Sequence, residues 1–297
     1  MMRCIALVPI LLAAGCRSAA QQAPAFDGAQ ALAWVRHQVD AGPRVPNTAA
    51  HRIVGDWLVA ELRRRADSVE VQSWVHVTRE GDSLRLRNII ARFRPADPNR
   101  VLYVSHWDSR PTSDQEADPA RRAQPTPGAN DGASSTAMLL GVADALRRTP
   151  PSMGVDLLFT DGEDWGDFST TDALIGARYF AQHLPAGYRP LFAVVWDIVG
   201  DARSRYVPES SSARAGPEVV ERVWNAAREI GLGRVFRNSG SRAYTDDHLP
   251  LIEAGIRAID VIPEELPPYW HTLADTPDKL SAQALQNIGR LALYLVR

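Results

Sequence analysis

His106, Asp108, Asp131, Glu163 and Asp164 each stand just past an apolar run or at a glycine turn. Side chains of those types, brought together, make a cation site with a general base beside it. Val101-Leu-Tyr-Val-Ser105 is a short apolar run that stops at His106-Trp-Asp108. Pro127-Gly-Ala-Asn-Asp131-Gly opens a helical run at Ala133–Arg148, and Val155-Asp-Leu-Leu-Phe-Thr160 stops at Asp161-Gly-Glu163-Asp164. In an open α/β sheet, loops leaving the carboxyl ends of parallel strands meet along one edge, so these side chains are expected to gather there.

Other candidates carry weaker signals. Of the seven histidines, His37, His51, His76 and His183 lie inside helix or strand patterns and read as surface or packing residues. His106 and His271 follow a buried strand or its exit loop and have acidic neighbours; His248 reads as structural or functional. Asp131 alone reads as a helix cap. Asp197 and the pair Asp246-Asp247 read individually as turn chemistry. Glu163 beside Asp164 is harder to explain so, because adjacent carboxylates repel unless a cation or proton lies between them.

The elements that must position these residues follow from periodicity. Asp27 caps a helix with Leu32, Val35 and Val39 at helical spacing, and Gly42-Pro-Arg-Val-Pro46 breaks it. A second helix from about Thr48 to Arg65 is expected to bury Ile53, Trp57, Leu58 and Leu62. Val69–His76 and Leu84–Phe93 read as a hairpin around Glu80-Gly-Asp. The polar loop Arg110–Pro127, between two candidate ligands, is expected to be a functional cover. Asp172–His183, Pro217–Ile230 and Leu280–Val296 read as helices, Leu191–Trp196 and Ile256–Ile262 as buried strands, and Asp201–Gly216 as flexible. Strands alternating with helices imply a single-domain, three-layer α/β/α fold with a mixed, mostly parallel twisted central sheet.

Composition bounds the function. With 297 residues, 45% hydrophobic and 23% charged, the chain can bury a full core, and a net charge of −2 gives no electrostatic case for nucleic acid. Met1-Met-Arg3 followed by Cys4–Ala14 has the form of a secretory signal, too short to span a bilayer. Ala13-Ala-Gly-Cys16 is like a bacterial lipoprotein box with Cys16 lipidated, whereas a cut after Ala20 would release a soluble protein. The expectation is a signal at residues 1–20, a catalytic domain at 26–297 and export to the bacterial periplasm, lipid-anchored or secreted. A membrane is expected to be touched only through that anchor. Cys4 and Cys16 are the only cysteines, so any metal must be held by His, Asp and Glu.

Six motifs in order carry a family resemblance: His106-Trp-Asp108-Ser, Pro127-Gly-Ala-Asn-Asp131, Asp161-Gly-Glu163-Asp164, Trp196-Asp197-Ile-Val-Gly, Asp246-Asp-His-Leu-Pro250 and Tyr269-Trp-His271-Thr. Over about residues 27–297 the chain resembles the zinc aminopeptidase-like (M28) family, and within it the glutaminyl-peptide cyclotransferases of animals and their bacterial relatives. The resemblance implies one zinc ion held by Asp131, Asp164 and His271, with a fourth position left for substrate. It implies Glu163 as acid and base, Asp197 and Asp246 as the acidic group beside it, and Trp270, Trp107 and Leu266 against the substrate. Substrates would be peptide or protein N-termini: the α-amine of an N-terminal glutamine attacks its own zinc-polarised γ-carboxamide, closing a lactam and releasing ammonia. Two positions depart from the animal pattern. Asp164 stands where those enzymes have glutamate, and no tryptophan follows near Phe168–Asp172, where Trp165 or Phe168 would stand in.

The rival within the family is a two-zinc aminopeptidase, with His106 and Asp197 on a second ion, Asp131 bridging and Glu163 activating water. Trp270 ahead of His271, the pair Asp246-Asp247 and Trp107 lean towards the cyclase. A non-catalytic zinc- or peptide-binding lipoprotein would be expected to lack Glu163 or a ligand, and none is lost.

Overall fold

The computed structural model describes residues 25–297, so the expected signal at 1–20 and Cys16 lie outside the described residues. In chain order the elements are α1 (Gly28–Asp40), α2 (Ala49–Arg63), β1 (Ser68–Val77), β2 (Ser83–Phe93), β3 (Arg100–His106), α3 (Ala133–Arg148), β4 (Gly154–Thr160) and α4 (Ile175–Gln182). They continue with β5 (Phe192–Trp196), α5 (Ser210–Ala215), α6 (Pro217–Glu229), α7 (His248–Glu253), β6 (Ala258–Val261) and α8 (Ala282–Tyr294). The six strands form one sheet in the order β1-β2-β4-β3-β5-β6. The hairpin β1–β2 and the pair β2–β4 are antiparallel, while β4–β3, β3–β5 and β5–β6 are parallel.

Every residue of β3, β4, β5 and β6 is buried, as strands covered on both faces must be. Alternation then sends successive side chains to opposite layers. Val101, Tyr103, Val155, Leu157, Phe192 and Val194 pack into the large core beneath α1, α3, α6 and α8, and Leu102, Val104, Leu158, Ala193 and Val195 into a smaller one with Phe180 of α4 and Leu251 of α7. The three-layer α/β/α reading therefore holds. Because β3, β4, β5 and β6 run the same way, their carboxyl ends share one edge, where five of the six motifs sit, while Asp246-Asp-His-Leu-Pro250 lies at the start of α7.

Some local expectations are corrected. Ile53 is 57% exposed, and the buried stripe of α2 runs instead through Val54, Leu58 and Leu62, four residues apart. The helix expected from Asp172 begins at Ile175, since Asp172 accepts from the Arg79 N–H and pairs with His76 at 2.7 Å. The stretch Asp201–Gly216 is built rather than loose: Tyr206 bridges to Phe236 and Pro263, and the Glu209 carboxylate caps α5.

Candidate metal centre

His106 is the last residue of β3, and Asp131 lies in the turn that leads through Gly132 into α3. The two approach because Gly132 carries no side chain: a Cβ there would lie 2.6 Å from His106 Cε1. The turn itself is held from outside. Buried Arg44 donates to the carbonyls of Trp107, Pro127 and Gly128 at 2.9, 2.9 and 2.6 Å, and Asp275 accepts from the N–H groups of Asn130 and Asp131. Two residues past β3, Asp108 accepts from the Glu163 and Asp164 N–H groups, both at 3.2 Å, and so fixes the acidic pair leaving β4. Asp197 follows β5, and its carboxylate accepts from the Ile198 N–H while Ile198 takes a φ of 52°. His271 has the same left-handed φ of 52°, a conformation that costs free energy at non-glycine residues and persists where surrounding contacts impose it.

The structure brings the predicted ligands together in two overlapping sets. Ligand atoms of Asp131, Asp164 and His271 lie within 4.8 Å of one another, and so do those of His106, Asp131 and Asp197. His271 Nε2 is 3.4 Å from both Asp131 Oδ2 and Asp164 Oδ1; His106 Nε2 is 3.0 Å from Asp131 Oδ1 and 3.3 Å from Asp197 Oδ1. All five residues are buried. The sets differ behind the imidazoles. His271 Nδ1 bonds Asp114 Oδ1 at 3.2 Å, whereas neither ring nitrogen of His106 makes a hydrogen bond, the nearest carboxylates to its Nδ1 being Asp108 at 3.6 Å and Glu163 at 3.8 Å. Buried imidazole nitrogens and carboxylate oxygens converging without mutual hydrogen bonds suit a divalent cation, and the nitrogen and oxygen donors suit zinc.

Around this point burial works against charge. For Glu163, burial first and then Asp164, Asp246 and Asp247 raise the carboxyl well above its ordinary range, opposed by His106. Burial, with Asp131 and Asp246, pushes Asp197 up to about 7 against the pull of His106. Asp247, bonded by Thr160 Oγ1 at 2.5 Å, is pushed to about 8 by burial and Asp246. Asp131 goes the other way: burial opposes ionisation, but His106 and His271 outweigh it and lower its pKa. His248, left open on sequence grounds, is fully buried between Glu209 at 3.1 Å and Asp260 at 3.9 Å, away from the ligands.

A cavity of about 210 Å³ opens above these groups. Asp131, Glu163, Asp197, Asp246 and His271 form its polar side, and Phe168, Ile198, Tyr244, Leu266 and Trp270 its apolar side. Trp270 stacks on His271 with ring centroids 3.6 Å apart. The expectation that Trp107 contacts substrate is corrected: it is fully buried, stacked on His51 at 4.4 Å and bonded to the Arg87 carbonyl, because its position after the last β3 residue turns it under the sheet edge. Nor does the loop Arg110–Pro127 line the cavity. It closes on itself through the Thr126 N–H to the Arg110 carbonyl and docks against His271. Four residues of the site's framework went unread in the sequence: Arg44, Arg110, Asp114 and Asp275. Arg44 lay in a stretch singled out only as a helix break, and Arg110 and Asp114 in the loop expected to be a cover, with no role read for the residues themselves; Asp275 lay in no singled-out stretch.

Residues 88–296 match the family model described as peptidase family M28. Over 272 residues the chain is 25% identical to a glutaminyl-peptide cyclotransferase of Drosophila melanogaster, covering 83% of this chain and 74% of that protein. It is also 25% identical over 245 residues to a bovine protein of the same name, covering 70% of this chain and 65% of that protein. Two crystal structures from Bacteroides thetaiotaomicron superpose with a TM-score of 0.89, each over 92% of this chain and 98% of the other. One is of a leucine aminopeptidase precursor, 34% identical, and the other of a glutaminyl cyclase bound to N-acetylhistamine, 33% identical.

Proposed function

The chain belongs to peptidase family M28, and we propose that within it this enzyme is a zinc-dependent glutaminyl-peptide cyclotransferase, converting N-terminal glutamine to pyroglutamate with release of ammonia. The observation that carries this reading is the asymmetry behind the two imidazoles. A metal-bound histidine almost always donates its other N–H to an acceptor; His271 does so to Asp114, and His106 does not. One ion held by Asp131, Asp164 and His271 fits that asymmetry, and Asp197 is then left to the acidic group beside Glu163. The similarity to glutaminyl cyclases from fly and Bacteroides supports the same reading.

Bound there, zinc supplies a Lewis acid for the γ-carboxamide carbonyl. The protein supplies the proton traffic. The α-amine nitrogen attacks the side-chain carbonyl carbon, and the bond from that carbon to the amide nitrogen breaks. Glu163 takes a proton from the attacking amine at a carboxylate oxygen and delivers it to the departing nitrogen, which leaves as ammonia. In the metal-free protein, burial beside Asp164, Asp246 and Asp247 raises the Glu163 carboxyl above its ordinary range, the direction that favours accepting a proton and passing it on. Trp270, Leu266, Phe168 and Tyr244 hold the bent substrate and exclude water, which would otherwise compete with the amine. Substrates are peptide or protein N-termini, reached after export by a signal at residues 1–20, either anchored through Cys16 or released.

A second reading, a two-zinc aminopeptidase, is favoured by one observation: His106, Asp131 and Asp197 also converge within 4.8 Å. Glu163 would then deprotonate a water that cleaves the first peptide bond. The products decide, since the cyclase releases ammonia and the peptidase a free amino acid.

A further inference from the structure

The loop Arg110–Pro127 does not cover the cavity; it reaches the candidate metal set from behind. Asp114 uses both oxygens. Its Oδ1 lies 3.2 Å from His271 Nδ1, and its Oδ2 accepts from Arg110 Nε at 3.0 Å and Nη2 at 2.7 Å. Arg110 extends the pattern, donating from Nη1 to Asp164 Oδ1 at 2.8 Å and lying 5.6 Å from the Phe168 ring. The backbone joins in, with the Gln115 N–H donating to the His271 carbonyl at 3.2 Å and the Leu273 N–H to Glu116 Oε1 at 2.9 Å.

We infer that Asp114 is a positioning residue for His271, and that this loop is the device that sets up the Asp131–Asp164–His271 set for its ion. The chemistry is that of tautomers. A carboxylate only accepts, so the proton of a neutral His271 ring must sit on Nδ1, and the lone pair is left on Nε2. Nε2 is the atom that faces Asp131 and Asp164. The Arg110 fork keeps Asp114 from turning away, and the contacts at Gln115 and Glu116 keep the His271–Leu273 backbone in the conformation that aims the ring. Without Asp114, both tautomers and other ring orientations become accessible, and the ligand must be reordered each time an ion binds.

This inference rests on the proposal that the set binds zinc, and its test reads zinc affinity rather than turnover. Zinc-free full-length protein is titrated against a chromophoric chelator for the wild type, Asp114→Ala and Asp114→Asn, with thermal unfolding of each zinc-free form alongside. Asp114→Ala is expected to bind zinc about 10- to 100-fold more weakly, the usual cost of losing such a partner. Asp114→Asn keeps an oxygen for the Nδ1 proton while breaking the pair with Arg110, and is expected to retain most of the affinity. Equal affinity in the wild type and a folded Asp114→Ala protein would overturn the inference. So would Asp114→Asn binding as weakly as Asp114→Ala, since the ion pair rather than the histidine would then matter. A wild type that takes up no zinc would overturn the proposed function together with this inference, whereas the other two results leave that function standing.

Discussion

The carboxylate of Asp275, in the loop ahead of α8, accepts the backbone N–H of Asp131 at 3.2 Å and that of Asn130 at 2.8 Å. The most shared candidate ligand is therefore aimed by its backbone as well as by its side chain. Asp275→Ala leaves two buried donors unpaired and is expected to cost about 1–3 kcal/mol in a urea titration, with weaker zinc uptake. Asp275→Asn keeps one accepting oxygen and is expected to lose less.

Glu163→Gln preserves shape and removes the proton carrier. Turnover is expected to fall by about 10²–10⁴-fold, the usual worth of a general acid–base group, while zinc content stays at the wild-type level. Activity near wild type would remove Glu163 from the mechanism. Loss of zinc would instead make its role structural.

The two histidines should separate by metal content. His271→Ala is expected to lose the ion, and His106→Ala to keep the wild-type zinc count by native mass spectrometry, because only His271 has its second nitrogen held by a carboxylate. A zinc count that falls from two to one in His106→Ala would favour the two-ion peptidase.

Much of the framework was legible in the chain itself. The runs that became β3, β4 and β5 are continuous and apolar because both faces are covered, and such runs announce themselves. The residues at their carboxyl ends could be placed at one edge for the same reason. What was missed lacks a local signal. Helices α5 and α7 have six residues each, too few for periodicity to register. Ile53 and Val54 differ only in helical phase, which tertiary packing decides. Asp114 meets His271 across 157 residues and Asp275 meets Asp131 across 144, distances at which neither composition nor spacing pairs residues. Trp107 was assigned by its motif, yet adjacency to a functional histidine does not fix which way the next side chain points.

Away from the site, Glu209 gives a pH-dependent contribution to stability. Burial opposes its ionisation, but His248 and the N–H groups of Ser211 and Ser212 prevail and lower its pKa from 4.5 to about 2. A depressed native pKa means the unfolded chain protonates first, so this stabilisation is present above about 4.5 and is lost as pH falls towards 2. Glu209→Gln is expected to be less stable than wild type by about 1–3 kcal/mol at neutral pH, with the gap narrowing below pH 4.5. A gap independent of pH in urea titrations would contradict this assignment.

The most direct test of the proposed reaction is mass spectrometry of two synthetic peptides, one headed by glutamine and one by leucine, incubated with the zinc-loaded protein. The account predicts that the glutamine peptide loses the mass of ammonia and nothing else, while the leucine peptide is unchanged. Loss of a whole residue from either peptide would contradict it, and would move His106 and Asp197 into the metal shell of an aminopeptidase.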